Sequence, residues 1–346
     1  MDSASTFRTN VSTAEMPNKT RHRQLLLLCA AALLIIFPFF VKNFTVFQFT
    51  LCIAYAISVL GLNYLMGFAG QISLGHGAFY AVGAYTAAIL MKSFDVHYLL
   101  TLPAAAVVSF ALGFIFGLPA LRLAGHYLAL TTLALAIALP QLLRHGGLAP
   151  FTGGVQGIVL KKPAAPFQFP LEDRYELPFG IIFDFRLTAD RWLYFCALIV
   201  AVIVFWLVIN LLRGRIGLAL AALRDHPVAA QSMGINISFH KTMSFAISAM
   251  FTGLAGALGA IVVQYVAPDS FSVFLSISLV VGAVFGGSAT VWGAVFGALF
   301  IQFVPNIAGQ LSQSAPWVVY GVIMVAAVYF MPDGIVGLYK SRRGRK

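Results

Sequence analysis

Three side chains able to do chemistry cluster in one apolar run. Gln71, Ser73 and His76 lie in the stretch Gly67-Phe-Ala-Gly-Gln-Ile-Ser-Leu-Gly-His-Gly-Ala-Phe-Tyr-Ala-Val-Gly83. On a helix Ser73 and His76 would share a face, because residues three apart are neighbours there. A hydroxyl beside an imidazole pairs a nucleophile with its base, but the base also needs an orienting group. No carboxylate is close: all eleven Asp and Glu fall in tails or between apolar runs. No Gly-x-x-x-x-Gly-Lys-[Ser/Thr] loop is present to cradle nucleotide phosphates, and no His-Glu-x-x-His zinc motif. This disfavours a membrane hydrolase and excludes nucleotide hydrolysis of the P-loop kind. Ion-coupled carriers commonly rely on intramembrane ionisable residues, so the missing carboxylates also weaken that reading. A neutral polar lining remains, formed by Asn63, Gln71, Ser73, His76, Thr131 and Thr132, with Gln141 and Gln264 as further neighbours. It suits an uncharged or zwitterionic solute, and glycines beside such groups suit a locally unwound helix bordering a solvated pathway.

The elements that must position these groups follow from composition. Of 346 residues, 60% are hydrophobic and 10% charged, with a mean hydropathy of +0.90. Soluble domains carry about a quarter charged residues. The apolar runs are long enough to cross a hydrocarbon core and do not alternate as barrel strands do. The expected fold is an all-α polytopic membrane protein of about ten spans, some short or broken. They fall at 24–41, 44–66, 68–90, 98–119, 125–143, 192–212, 242–266, 273–287, 289–304 and 316–331. Residues 1–23 then form a cytoplasmic tail, 24–335 the transmembrane domain, 144–191 an outer loop, 213–241 an inner loop and 336–346 a basic tail. With both termini cytoplasmic, inner segments hold fourteen Lys/Arg and four Asp/Glu, and outer segments eight and seven. That is the asymmetry the positive-inside rule requires. The net charge of +11 is thereby explained by lipid headgroups, with no nucleic acid needed. Cys29, Cys52 and Cys196 lack metal-ligand spacing and read as buried thiols.

Small residues at helical spacing allow close backbone approach in a bilayer. Gly67, Gly70, Gly77 and Gly83 form one such surface, and Gly253, Gly256 and Gly259 another. The pentapeptide Gly-Ala-Val-Phe-Gly occurs twice, giving the pairs Gly282/Gly286 and Gly293/Gly297. The outer loop, with five prolines and both charge signs, has the composition of a small ordered cap or a protein-binding surface. In the inner loop, Arg224-Asp-His-Pro-Val-Ala-Ala-Gln-Ser-Met-Gly-Ile235 reads as a short bounded helix. Asp225 suits its N-cap, Pro227 its first turn and Gly234 a left-handed C-terminal position. Such a helix is either an ordinary basic loop or a knob that docks on a partner.

Several stretches resemble the branched-chain amino-acid permease family of ATP-binding-cassette (ABC) importers. They are Gly61–Tyr85 (GLNYLMGFAGQISLGHGAFYAVGAY), Arg122–Ala136 (RLAGHYLALTTLALA), Thr152–Ile158 (TGGVQGI) and Leu223–Ile235 (LRDHPVAAQSMGI). The pattern Ala229-Ala230-x-x-x-Gly234 resembles the coupling-helix signature of such importers. The polar N-terminal tail and the long mid-chain outer loop are most similar to the LivM-type subunit. Departures are Ile137 where Glu is frequent, Val155-Gln156 for a frequent Pro-Asn, and Pro227 for a common Glu.

The resemblance implies a multi-pass subunit of the bacterial inner membrane. Its implied partners are a LivH-type permease, two ABC ATPase subunits and a periplasmic solute-binding protein. It further implies no cofactor on this chain, ATP and Mg being held by the ATPases, with Arg224, Asp225, Ala229, Ala230 and Gly234 coupling to them. An importer of urea or short amides and an ATP-independent channel remain the alternatives.

Overall fold

A computed structural model describes residues 32–120, 126–163, 174–177, 181–184, 188–311, 316–330 and 334–335. The expected tails 1–23 and 336–346, residues 121–125 and part of the outer loop lie outside the described residues. Residues 32–40 are helical. The following apolar runs fold as α1 (Asn43–Asn63), α2 (His76–Ser93), α3 (Tyr98–Ala120), α4 (His126–Leu143) and α5 (Ala189–Arg213). After them come α6 (Arg215–Asp225), α7 (Pro227–Ser232), α8 (Ile237–Val263), α9 (Val273–Gly286), α10 (Gly293–Leu311) and α11 (Pro316–Phe330). Five segments are long and apolar enough to cross a membrane: Asn43–Phe68, Tyr98–Leu118, Ala189–Arg213, Ile237–Val263 and Pro268–Gly286. Tyr127–Leu143 and Gly293–Gly309 are shorter apolar helices. The chain is therefore a helical multi-pass membrane protein.

Apart from the first, of which residues 24–31 lie outside the described residues, the expected spans overlap these helices, with one substantive correction. The run 68–90 is not one helix, because residues 69–75 have no helical structure and α2 begins only at His76. A smaller shift brings Asp190 into the first turn of α5, where a negative charge meets the helix N-terminus. Its carboxylate pairs with Lys162 at 2.6 Å.

Composition decides which helix is central. The buried side of α8 is rich in Ala, Gly, Ser and Thr, among them Ser244, Ser248, Thr252, Gly253 and Gly256, with Phe245 and Phe251 between them. The small residues let α1, α2 and α3 approach it closely. A Cβ on Gly83 would strike the Gly253 carbonyl, and one on Gly256 the Tyr80 carbonyl. The repeated pentapeptides do the same for α9 and α10. Gly282 faces Gly297 and Gly286 faces Gly293, so the two helices touch backbone to backbone in antiparallel register. α10 and α5 then flank α1.

Two short ladders complete the described structure. β1 (Ile158–Val159), from the expected outer loop, pairs antiparallel with β4 (Tyr265–Val266), which follows α8. Within a separate unit, 1–42 with 171–185, β2 (Arg174–Leu177) and β3 (Ile181–Asp184) form a hairpin.

Candidate functional site

The polar trio of the sequence lies in a break between α1 and α2. Beyond Asn63 the chain makes one wider π turn, Tyr64–Phe68, with Ala69 N–H reaching Tyr64 O at 3.3 Å. Such turns leave helix-end groups without the usual partners. Gly70 then takes φ +66°, a left-handed conformation that glycine adopts without penalty, and the backbone runs irregularly to Gly75.

Side chains from other elements satisfy the polar groups of this break. Gln71 Nε2 donates to Ser244 Oγ (2.8 Å) and to the Lys241 carbonyl (3.2 Å) of α8. Leu74 N–H donates to Thr132 Oγ1 of α4 at 2.9 Å. Gly77 N–H donates to Ser276 Oγ of α9 at 3.0 Å. Asn63 clamps the connection between α9 and α10. Its Nδ2 donates to the carbonyls of Gly287 (3.2 Å) and Thr290 (2.7 Å), and its Oδ1 accepts from Ala289 N–H at 2.9 Å. Gly67 is pressed against the same Ala289.

His76 anchors the start of α2 in α8. Ser248 has one hydroxyl proton, which it gives to the Gly61 carbonyl at 2.5 Å. Its oxygen must then accept from His76 Nε2, 2.7 Å away. Hydrogen-bond logic thus assigns the Nε2–H tautomer, leaving Nδ1 to accept from Ser73 Oγ at 2.9 Å. Ser73 precedes α2 and does not share a helical face with His76, as a continuous helix would have required. Because Nε2 faces a serine and not a carboxylate, the pair has no orienting group of the hydrolytic kind.

Of the six lining candidates, Asn63, Gln71, Ser73, His76 and Thr132 are buried in this network. Thr131 is exposed, its hydroxyl turned back to the Tyr127 carbonyl at 2.9 Å. Their partners Ser244, Ser248 and Ser276 escaped sequence reading. The signal was present in the spacing of four that puts Ser244, Ser248 and Thr252 on one face of α8. A cavity of about 720 Å³ was also not foreseen. Phe79 and Val82 of α2, Leu112 and Phe116 of α3, and Leu135 and Leu139 of α4 wall it, with Gln141 and His145 on its lining. Among the described residues no group of three or more His, Cys, Asp or Glu is placed to hold a metal ion.

The expected inner-loop element stands against the break. α6 ends at Asp225 and α7 starts at Pro227, with His226 between them. Asp225 therefore does not cap α7; as the last residue of α6 its carboxylate accepts from Arg224 Nε at 3.0 Å. Pro227 does occupy the first turn. Gly234, at φ +83°, closes α7, with Gly234 N–H to the Gln231 carbonyl (2.9 Å) and Ile235 N–H to the Ala230 carbonyl (3.1 Å). This bond pair is a Schellman motif, which explains a glycine there. Ala230 is buried, whereas Ala229 is exposed and Val228 and Met233 are 81% and 84% exposed. Arg224 Nη1 donates to the Gly67 carbonyl at 2.9 Å, joining this element to the break.

Comparison with known proteins places this architecture. Residues 44–328 match the family model described as branched-chain amino acid transport system / permease component. The chain is 32% identical over 335 residues to the high-affinity branched-chain amino acid transport system permease protein LivM of Salmonella typhimurium. The alignment covers 93% of this chain and 77% of that protein. LivM of Escherichia coli K12 aligns with the same identity and coverage. A probable branched-chain amino acid transport permease protein LivH of Methanocaldococcus jannaschii is 26% identical over 77% of this chain and 83% of its own length. No solved structure matches the chain.

Proposed function

Because the chain belongs to the branched-chain amino acid transport permease family, we propose that it is the LivM-type subunit of an ATP-driven importer for branched-chain or related amino acids. It forms part of the translocation path together with a LivH-type permease. A periplasmic solute-binding protein delivers the solute, and two ABC ATPase subunits bind and hydrolyse ATP with Mg. In this reading the chain is not itself an enzyme. It resides in the bacterial inner membrane with both termini cytoplasmic, and α7 faces the ATPase.

The observation that carries this reading is α7. This six-residue helix has its start set by proline and its end by a Schellman glycine. It nevertheless leaves Val228 and Met233 in the open. Exposed apolar side chains on a rigid, polar-rimmed knob are what a groove on a partner protein recognises. A channel would have no use for such a knob.

The test is uptake of labelled leucine into proteoliposomes holding this chain, its partner permease, the ATPases and the binding protein. We expect uptake that requires internal ATP, is competed by isoleucine and valine but not urea, and is lost in Gly234→Trp. Competition by urea alone would move the solute to the amide class. Leucine flux indifferent both to ATP and to Gly234→Trp would reject the importer.

A further inference from the structure

Arg224 is partly exposed, yet its guanidinium reaches into the helix break. Its Nη1 donates to the carbonyl of Gly67 at 2.9 Å, and its alkyl stem lies on Gly70, where an added Cβ would sit 2.8 Å from Arg224 Cγ. Its Nε meanwhile holds Asp225. One guanidinium can serve both acceptors because its donors form a rigid fork, which a lysine ammonium lacks. The Asp225 pair is exposed and adds little stability of its own.

The acceptor is well chosen. Gly67 lies in the π turn, at a helix end where carbonyls lack their usual intrahelical partners. From this turn to Gly77, the chain is bonded to α8 through Gln71 and His76, to α4 through Leu74 and to α9 through Gly77. Asn63 and Gly67 tie it to the 287–290 connection. A pull on Gly67 therefore reaches four other parts of the bundle through directional bonds. Residues 69–75 form no helix or strand, and their backbone N–H groups reach back to carbonyls only at Ala69 (to Tyr64 O, 3.3 Å) and Gln71 (to Leu65 O, 3.1 Å).

We propose that Arg224 is a positioning residue that transmits displacement of α7 to the Tyr64–Gly75 break, and through the break to the membrane helices. The proposal rests on the importer reading of α7 given above. It assigns Arg224 to the inward face of the coupling element, with Val228 and Met233 left to meet the partner.

The test uses the complete reconstituted importer, with three readouts: leucine uptake, ATP hydrolysis and recovery of the ATPase subunits with the permease. In Arg224→Ala we expect uptake per ATP to fall about tenfold, the size of a typical coupling effect, with full recovery of the ATPases. Arg224→Lys should restore part of the ratio. Gly70→Ala, which crowds the arginine stem and also strains the left-handed backbone of the break, should lower it too. An unchanged ratio in Arg224→Ala overturns the proposal, as does loss of the ATPases from that variant, which would make Arg224 a docking residue. If Arg224→Ala does not accumulate, Gly70→Ala decides: a wild-type ratio there also overturns it. Failure of the importer reading itself is distinct, since the wild-type complex would then show no ATP-dependent uptake.

Discussion

Ser248 shows how much one side chain can hold in this bundle. It accepts from His76 Nε2 and donates to the Gly61 carbonyl, joining α8 to both α1 and the start of α2. Removing its hydroxyl leaves the buried Nε2–H of His76 without its acceptor and removes the tie to Gly61. Leaving a buried group unsatisfied costs about 1–3 kcal/mol, so Ser248→Ala should lower the thermal unfolding midpoint of the detergent-solubilised protein clearly. The exposed Thr131 bonds only its own helix, and Thr131→Ala should leave the midpoint unchanged. Equal midpoints for the two variants would mean that the Ser73–His76–Ser248 chain is not a structural anchor.

At the scale of elements, the glycine pairs between α9 and α10 do different work from isolated glycines. Gly286 meets the Gly293 backbone with no room for a Cβ, whereas Gly309 has nothing within 4 Å of one. Overpacking a close helix contact costs about 1–3 kcal/mol, so Gly286→Leu should destabilise the protein. Gly309→Ala should be neutral or gain up to ~1 kcal/mol from helix propensity. Denaturation of the two variants side by side checks the contrast. On the importer reading, α7 makes a separate prediction. Val228→Asp combined with Met233→Asp should leave folding intact, since both side chains are exposed, yet abolish co-purification of the ATPase subunits. Retained co-purification would place the docking surface elsewhere.

For the whole molecule, orientation is the property on which the importer reading depends. The proposed topology puts α7 and Asp269 on opposite sides of the membrane. With the native cysteines replaced, a cysteine at Met233 should react with an impermeant maleimide only after the cytoplasmic face is opened. One at Asp269 should react in intact cells whose outer membrane has been permeabilised. The reverse pattern would invert the protein and remove α7 from the ATPase.

What the sequence determined by itself were the properties set by short stretches of chain. Hydropathy over some twenty residues fixed the helical runs, because burial of an apolar helix in lipid needs no knowledge of the other helices. Gly234 and Pro227 announced the bounds of α7 through local backbone preference, and the clustered glycines announced close packing. The quoted motifs were sufficient to suggest the family. What only the tertiary structure decided were the partners. Asn63 bonds to residues 224 to 227 positions away and Gln71 to residues about 170 away, distances at which a sequence gives no pairing rule. The break at 69–75 was foreshadowed by its glycines and polar side chains. Its form depends on Thr132, Ser244, Ser248 and Ser276 arriving from three other helices to satisfy it. Asp225 shows the limit most plainly. It is a good N-cap by residue type, but α6 continues through it, and its carboxylate goes to Arg224 instead.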